Sequence, residues 1–224
     1  MAGEITTSML DELGIRLEDA DEVNFTQVFK LEALNKAQLQ LTQMLHNAYL
    51  TELEVEQSAI DWSGIATSGY ATSGLTYAPV MRGSQGILKV SVQIGGSGSY
   101  IYATRLDLQK IKRVENTYLV GSNDNPLYYV FSNVIYVSVT SPYTLLKGRV
   151  LYLRLPTTMT ISFDPVLNSS LHPLIVSLAE GTAWAMDNKL DRRNAALTTA
   201  FNEIKMLNEK YTPVEGIGTK GRNI

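Results

Sequence analysis

His46 and His172 are the only imidazoles in the chain, and the absence of cysteine removes thiolate nucleophiles, disulfides and sulfur-ligated zinc. A metal or catalytic pair would need both histidines to converge with carboxylates from separate elements. His46 lies within a helical pattern beside Met44 and Asn47, and His172 stands just ahead of Pro173, so each reads as a surface or cap-adjacent residue. Asp187 and Asp191, four apart, would share a proton or a cation if one helix ran through both. Lys189, Arg192 and Arg193 surround them and favour an ion-pair network at an interhelical turn. The run Gly95-Gly96-Ser97-Gly98-Ser99 has the composition of a phosphate loop, but no Gly-Lys-Ser/Thr follows and the next run is strand-like, which makes it a hairpin turn. Ser170 and His172 are too close in sequence to form a triad on their own, and no Gly-x-Ser-x-Gly elbow occurs. These patterns call for no catalytic residue, no metal and no cofactor, and argue against an enzyme.

Twelve tyrosines are the remaining chemistry-bearing set. Tyr100, Tyr102, Tyr118, Tyr128, Tyr129, Tyr136, Tyr143 and Tyr152 fall in the middle of the chain, where they suit cross-strand pairs and subunit contacts, with a sugar- or base-stacking surface as the sharper alternative.

The elements that must carry these residues follow from periodicity. Residues 4–13 make a short amphipathic helix with Gly14 at its C-cap. Asn24 with Gln27 forms a capping-box variant, and Val23 with Val28 a hydrophobic staple, for a second helix reaching about Tyr49. Its apolar face carries Val28, Leu31, Leu34, Leu41, Leu45 and Ala48, with Lys30, Glu32 and Lys36 on other faces. Residues 51–163 then read as β: the alternating LTELEVEQ, a Gly/Ser-rich excursion from Ser63 to Gly86, the hairpin runs ILKVSVQI and YIYATRLDL, and the runs RVENTYLV, PLYYVFSN, VIYVSV and GRVLYLRLP. A third helix follows Asn168–Ser170, its face marked by Leu171, Leu174, Ile175, Leu178, Thr182, Ala185 and Met186. A fourth opens at Asp191 and carries Leu197, Ala200, Phe201, Ile204, Leu207 and Tyr211. Asn24-Phe25-Thr26 and Asn168-Ser169-Ser170 fit the glycosylation pattern but read as helix caps.

One-striped helices at both ends must bury their stripes against each other. The expected fold is therefore α+β: a bundle of about four α-helices from 1–50 and 164–211, with an inserted antiparallel β domain over 51–163 and a flexible C-terminal tail at 212–224. The expected bundle core is Leu31, Leu34, Leu41, Leu45, Leu174, Leu178, Leu197 and Ile204. Charge divides along the same boundaries. Residues 1–56 hold 3 basic and 11 acidic side chains, residues 57–163 hold 9 and 4, and the remainder 7 and 7. The net charge of -3, without a cationic run, disfavours a dedicated DNA reader. The acidic start and the lack of an apolar run of ~18 residues predict synthesis in the cytoplasm and no membrane span.

Two segments resemble a known family. The helix VNFTQVFKLEALNKAQLQLTQML is similar to the second helix of head-tail adaptor (connector) proteins of tailed bacteriophages. The stretch from Asp164 to Tyr211 resembles their C-terminal helix pair: a Asp164-Pro165 turn, a helix with Leu171, His172, Leu174, Ile175, Val176, Ala179, Ala183 and Met186, a junction at Asp187 and Arg192, and a helix with Ala195 and Ala196. The long β insertion looks most like the tail tubular protein A type of short-tailed phages. The resemblance implies a structural ring subunit, commonly of twelve copies, that docks below the portal protein in the virion neck and continues the DNA channel toward the tail nozzle. Its partners would be copies of itself, the portal, tail proteins and, by proximity alone, genomic double-stranded DNA. A lumen through which DNA slides cannot be densely basic, which makes the acidic helix face a candidate lining. The tail residues Val214, Ile217, Lys220, Arg222 and Ile224, together with Lys189, Arg192 and Arg193, are the candidate contacts to portal or neighbour. The alternative is a carbohydrate-binding or cell-wall-degrading tail component that uses the tyrosine-rich β domain.

Overall fold

The computed structural model describes residues 3–61, 71–73, 86–95, 98–106, 121–122, 124–131, 134–138 and 145–211. The fold is α+β, and the chain divides into two compact units, Met1–Glu52 with Pro156–Ile224, and Leu53–Leu155. The expected boundaries at 51 and 163 move inward because the segment after the last strand is held by the second helix. Asn35 accepts from the Met159 amide at 2.7 Å and donates to its carbonyl at 3.0 Å, and Gln38 donates to Thr157 O at 3.0 Å. No helix among the described residues is long and apolar enough to cross a membrane.

In the helical unit, α1 spans Glu4–Arg16. Its N-terminus is capped from far along the chain: the Asp164 carboxylate accepts from Thr6 N at 2.9 Å and Gly3 N at 3.2 Å, and Thr6 Oγ1 donates to Phe163 O at 3.0 Å. Gly3 has a φ of 92°, and any side chain there would strike the Ile161 carbonyl. Gly14 is not the cap; it lies inside the helix. The end is a Schellman motif in which Asp19 N reaches Gly14 O at 2.9 Å and Glu18 N reaches Ile15 O at 3.1 Å, with Glu18 in the left-handed position usually held by glycine.

Helix α2 spans Gln27–Met44 and is capped by Thr26, whose hydroxyl accepts from Phe29 N at 3.3 Å. The expected Asn24–Gln27 box and Val23–Val28 staple do not form, and the two valines are 81% and 69% exposed. The cause is Asp19, whose carboxylate takes the Val23, Asn24 and Phe25 amides and turns the chain before the helix begins. The helix also stops short of Tyr49: Leu45 is extended, and a 3-10 turn follows at Asn47–Tyr49. Leu34, Leu41 and Leu45 are buried, Leu31 is half-buried and Ala48 is exposed. Glu32 and Lys36 face solvent, whereas Lys30 is buried.

A 3-10 turn at Ser169–Leu171, capped by Asn168, leads into α3, His172–Met186, with Pro173 in its first turn where a missing amide is tolerated. Leu174, Ile175, Val176, Leu178, Ala179, Ala183 and Trp184 are all buried because α3 packs against α1, α2 and the last helix. Met186, expected on the buried face, is exposed. Helix α4 spans Leu190–Glu209 and buries Ala200 and Ile204; Leu197 is half-buried, and Phe201 and Tyr211 are 39% and 46% exposed. α3 and α4 approach closely at Gly181, where an added Cβ would stand 2.5 Å from Leu197 Cδ2.

The β unit contains two four-stranded sheets. The first has the order β1 (Glu54–Asp61), β8 (Leu145–Leu153), β3 (Ile87–Ile94) and β4 (Ile101–Tyr102). The second has the order β2 (Ala71–Ser73), β7 (Val134–Ser138), β6 (Leu127–Phe131) and β5 (Thr104–Arg105). β2 arises within the stretch expected to be a loop excursion. The expected all-antiparallel pairing also needs correction, because β5 runs parallel to β6. Ile87, Val90, Val92, Ile94, Val150 and Tyr152 from the first sheet and Tyr128, Val130, Ile135 and Val137 from the second form one core. The run RVENTYLV and the tail 212–224 lie outside the described residues. At the base of the unit, Arg154 N donates to Leu53 O at 2.9 Å, beside the Glu54–Leu153 pair.

Candidate functional site

At one end of the helical unit the α1–α2 connection meets the α3–α4 junction around Trp184. Phe25 stands edge-on to the indole at 6.0 Å and stacks on Phe29 at 5.4 Å. The Lys189 ammonium and the Arg192 guanidinium sit over the ring at 4.9 and 4.8 Å, close enough for cation–π attraction. Arg192 also pairs with Glu18 at 3.1 Å, and Lys189 with Asp187 at 2.7 Å, so two of the five cations expected to contact a partner converge here. Arg193 is half-buried in the first turn of α4, and Asp191 is exposed. Asp187 caps the end of α3 and Asp191 lies in the first turn of α4, so no single helix runs through both.

The described non-glycine residues with positive φ are Glu18, Glu22 and Asn188, and all three lie in these two connections. Such backbone is unfavourable for L-residues and persists where surrounding contacts fix it. Arg16 adds a clamp, donating to Ser177 Oγ at 2.9 Å and to Glu180 at 3.4 Å. Ile15, Val23, Val28, Met186 and Leu190 on these same segments are exposed. The result is a mixed surface in which exposed apolar side chains alternate with charged ones, among them two cations resting on Trp184.

Beneath this end, Lys30 Nζ donates to Asp19 O at 2.7 Å and lies 3.8 Å from the Asp19 carboxylate. The amides of Asn24, Phe25 and Val23, with the Lys30 charge, hold Asp19 below the ordinary carboxylate pKa against the opposing effect of burial. Asp164 is likewise lowered, first by the Thr6 amide and then by that of Gly3. Helical periodicity is blind to all three residues. For Asp19 the available signal was an aspartate placed ahead of a helix start, where free amides collect; for Asp164, whose amides belong to α1, there was none.

His46 accepts from Ala48 N at 3.2 Å and stacks on Tyr211 at 4.9 Å, while His172 Nε2 lies 2.9 Å from Leu167 O. Both act in local structure. Among the described residues no group of three or more His, Cys, Asp or Glu is placed to hold a metal ion.

The tyrosines divide into two sets. Tyr128, Tyr129 and Tyr152 are buried, with burial pushing the Tyr128 hydroxyl pKa up, and Tyr129 stacks on Tyr136 at 4.8 Å. Tyr100 and Tyr102 instead belong to the outer face of the first sheet. There Ser91 lies between Arg149 and Tyr102 in the cross-strand register, and Leu151 between Glu56 and Lys89. Lys89 Nζ is 3.7 Å from the Tyr102 ring centre, Arg149 is 4.0 Å from that of Tyr100, and Arg149 Nε is 3.8 Å from Glu56. These side chains line a depression of about 130 Å³. Tyr118 and Tyr143, and the tail candidates Val214, Ile217, Lys220, Arg222 and Ile224, lie outside the described residues.

No protein-family model matches the chain, and no curated protein matches it.

Proposed function

We propose that this chain is a structural head-tail adaptor subunit of a tailed bacteriophage, forming a ring of about twelve copies below the portal and giving the tail its attachment platform. The observation that carries the reading is a helical unit made from both chain ends, with a β unit between them, in the order of the adaptor-like segments. The bundle end around Trp184, with exposed Ile15, Val23, Val28, Met186 and Leu190 beside Lys189 and Arg192, supplies the contact surface to a neighbouring subunit or the portal. In this reading the ring sits in the virion neck after assembly in the host cytoplasm. It touches the tail nozzle, continues the DNA channel and performs no catalytic step.

Native mass spectrometry of the full chain, alone and mixed with a portal from the same source, tests this. A cyclic oligomer on the portal is expected. A chain that stays monomeric with every portal tested, while another neck protein fills the ring position, overturns it.

A further inference from the structure

We propose that the outer face of the first sheet binds a carboxylate-bearing sugar, with the carboxylate over Ser91 between Lys89 and Arg149 and the sugar ring on Tyr102. The inference is independent of the ring reading, because every residue it uses lies in the β unit. Antiparallel pairing with a bulge brings the pieces together: Ser91 is opposed by Arg149 on one side and Tyr102 on the other, and Lys89 stands two residues before Ser91 on the same face. Two cations therefore flank a nearly buried hydroxyl, and charge-assisted bonds to an anion are the strong kind. Each cation rests on a tyrosine, at 3.7 Å for Lys89 on Tyr102 and 4.0 Å for Arg149 on Tyr100. This holds them in place before a ligand arrives and lowers the entropy lost on binding. Tyr102 is 62% exposed, which leaves apolar ring surface for the C–H face of a sugar.

Glu56, 3.8 Å from Arg149, decides the ligand class. A carboxylate at the edge of the site accepts from sugar hydroxyls, and a nucleic acid would call for the basic footprint this chain lacks. The depression of about 130 Å³ is well below the ~300 Å³ at which pockets enclose a drug-sized ligand. It therefore takes one unit at a time, either a free sugar acid or one residue of an acidic polysaccharide.

Calorimetric titration of the full chain with glucuronate and with oligogalacturonate distinguishes those sources. Maltooligosaccharide, inorganic phosphate and oligo-dT serve as the neutral, anionic and nucleic-acid comparisons. The expected result is uronate binding that weakens about tenfold or more in Arg149→Gln and in Lys89→Gln, as loss of one charge-assisted bond implies, and is largely kept in Lys89→Arg. Far-ultraviolet circular dichroism confirms that the variants fold. No binding of either uronate, equal binding by parent and both glutamine variants, or a comparison ligand binding as tightly as the uronates overturns the proposal.

Discussion

Lys30 holds its ammonium group inside the helical unit, against the Asp19 carbonyl and beside its carboxylate, where a Cβ at Gly14 would stand only 3.1 Å from Nζ. Lys30→Met is expected to lower the Tm by several degrees, because the apolar replacement leaves the Asp19 carbonyl and carboxylate without their cation. A thermal melt superimposable on the parent's would show that the pair contributes nothing. Asp19 and Asp164 give the unit an acid limit. Both have folded-state pKa values below the ordinary 3.8, so their stabilisation is complete above that value and is lost as pH falls through the lower folded values. Helix content followed by circular dichroism should hold down to about pH 4 and then fall. In Asp164→Asn the chain should be less stable at neutral pH, with a shallower acid limb; an unchanged limb would remove Asp164 as a cause. Little of this was legible in the sequence. A three- and four-residue period assigns Lys30 to an outer face because it counts positions along one helix, whereas the Lys30 partner lies in the connection before that helix.

Between elements, the contact of α3 with α4 turns on Gly181. Gly181→Ala gains up to ~1 kcal/mol of helix propensity but pushes a methyl into Leu197, and overpacking of this kind costs ~1–3 kcal/mol. The expected result is a net loss, and in a Leu197→Ala background the same substitution should become neutral or stabilising. Urea melts of the four proteins in that cycle measure it, and additive effects would show that the two residues do not interact. Leu178, fully buried on α3, gives the harsher test. Leu178→Asp should remove most of a ~5–15 kcal/mol stability margin, whereas the same change at the exposed Lys36 should stay within about 0.5 kcal/mol. Existence and type of the four helices were readable from their stripes, and Leu34, Leu41, Leu45, Leu174, Leu178 and Ile204 lie in the core as the period implies. The ends were readable only in part: Asn168 caps the turn before α3 as expected, whereas the start of α2 differs. Asn24 and Gln27 have the spacing of a capping box, but the Asp19 carboxylate takes the Asn24 amide that the box would use. On the outer sheet face, the tyrosine cluster was visible as composition, while the cross-strand register that sets Tyr102 and Arg149 either side of Ser91 was not.

At the scale of the whole chain, the two connections of the β unit leave from neighbouring strands, joined by the Arg154–Leu53 hydrogen bond. Replacing residues 53–155 by a short Gly-Ser linker should therefore leave a helical unit that melts cooperatively with helical circular dichroism. A non-cooperative melt would show that the helices depend on the β unit for stability. The same junction bears on how the chain closes as a polymer. A segment of this length left as an open loop would impose a closure entropy that grows as the logarithm of its length, but β1 against β8 closes it within the inserted unit. The helical chain then has only the width of a strand pair to bridge, whatever is folded beyond it. Hairpins can lengthen and strands can be added or lost in the inserted unit with no change in that span, so the closure entropy of the helical chain does not depend on the length of what is inserted.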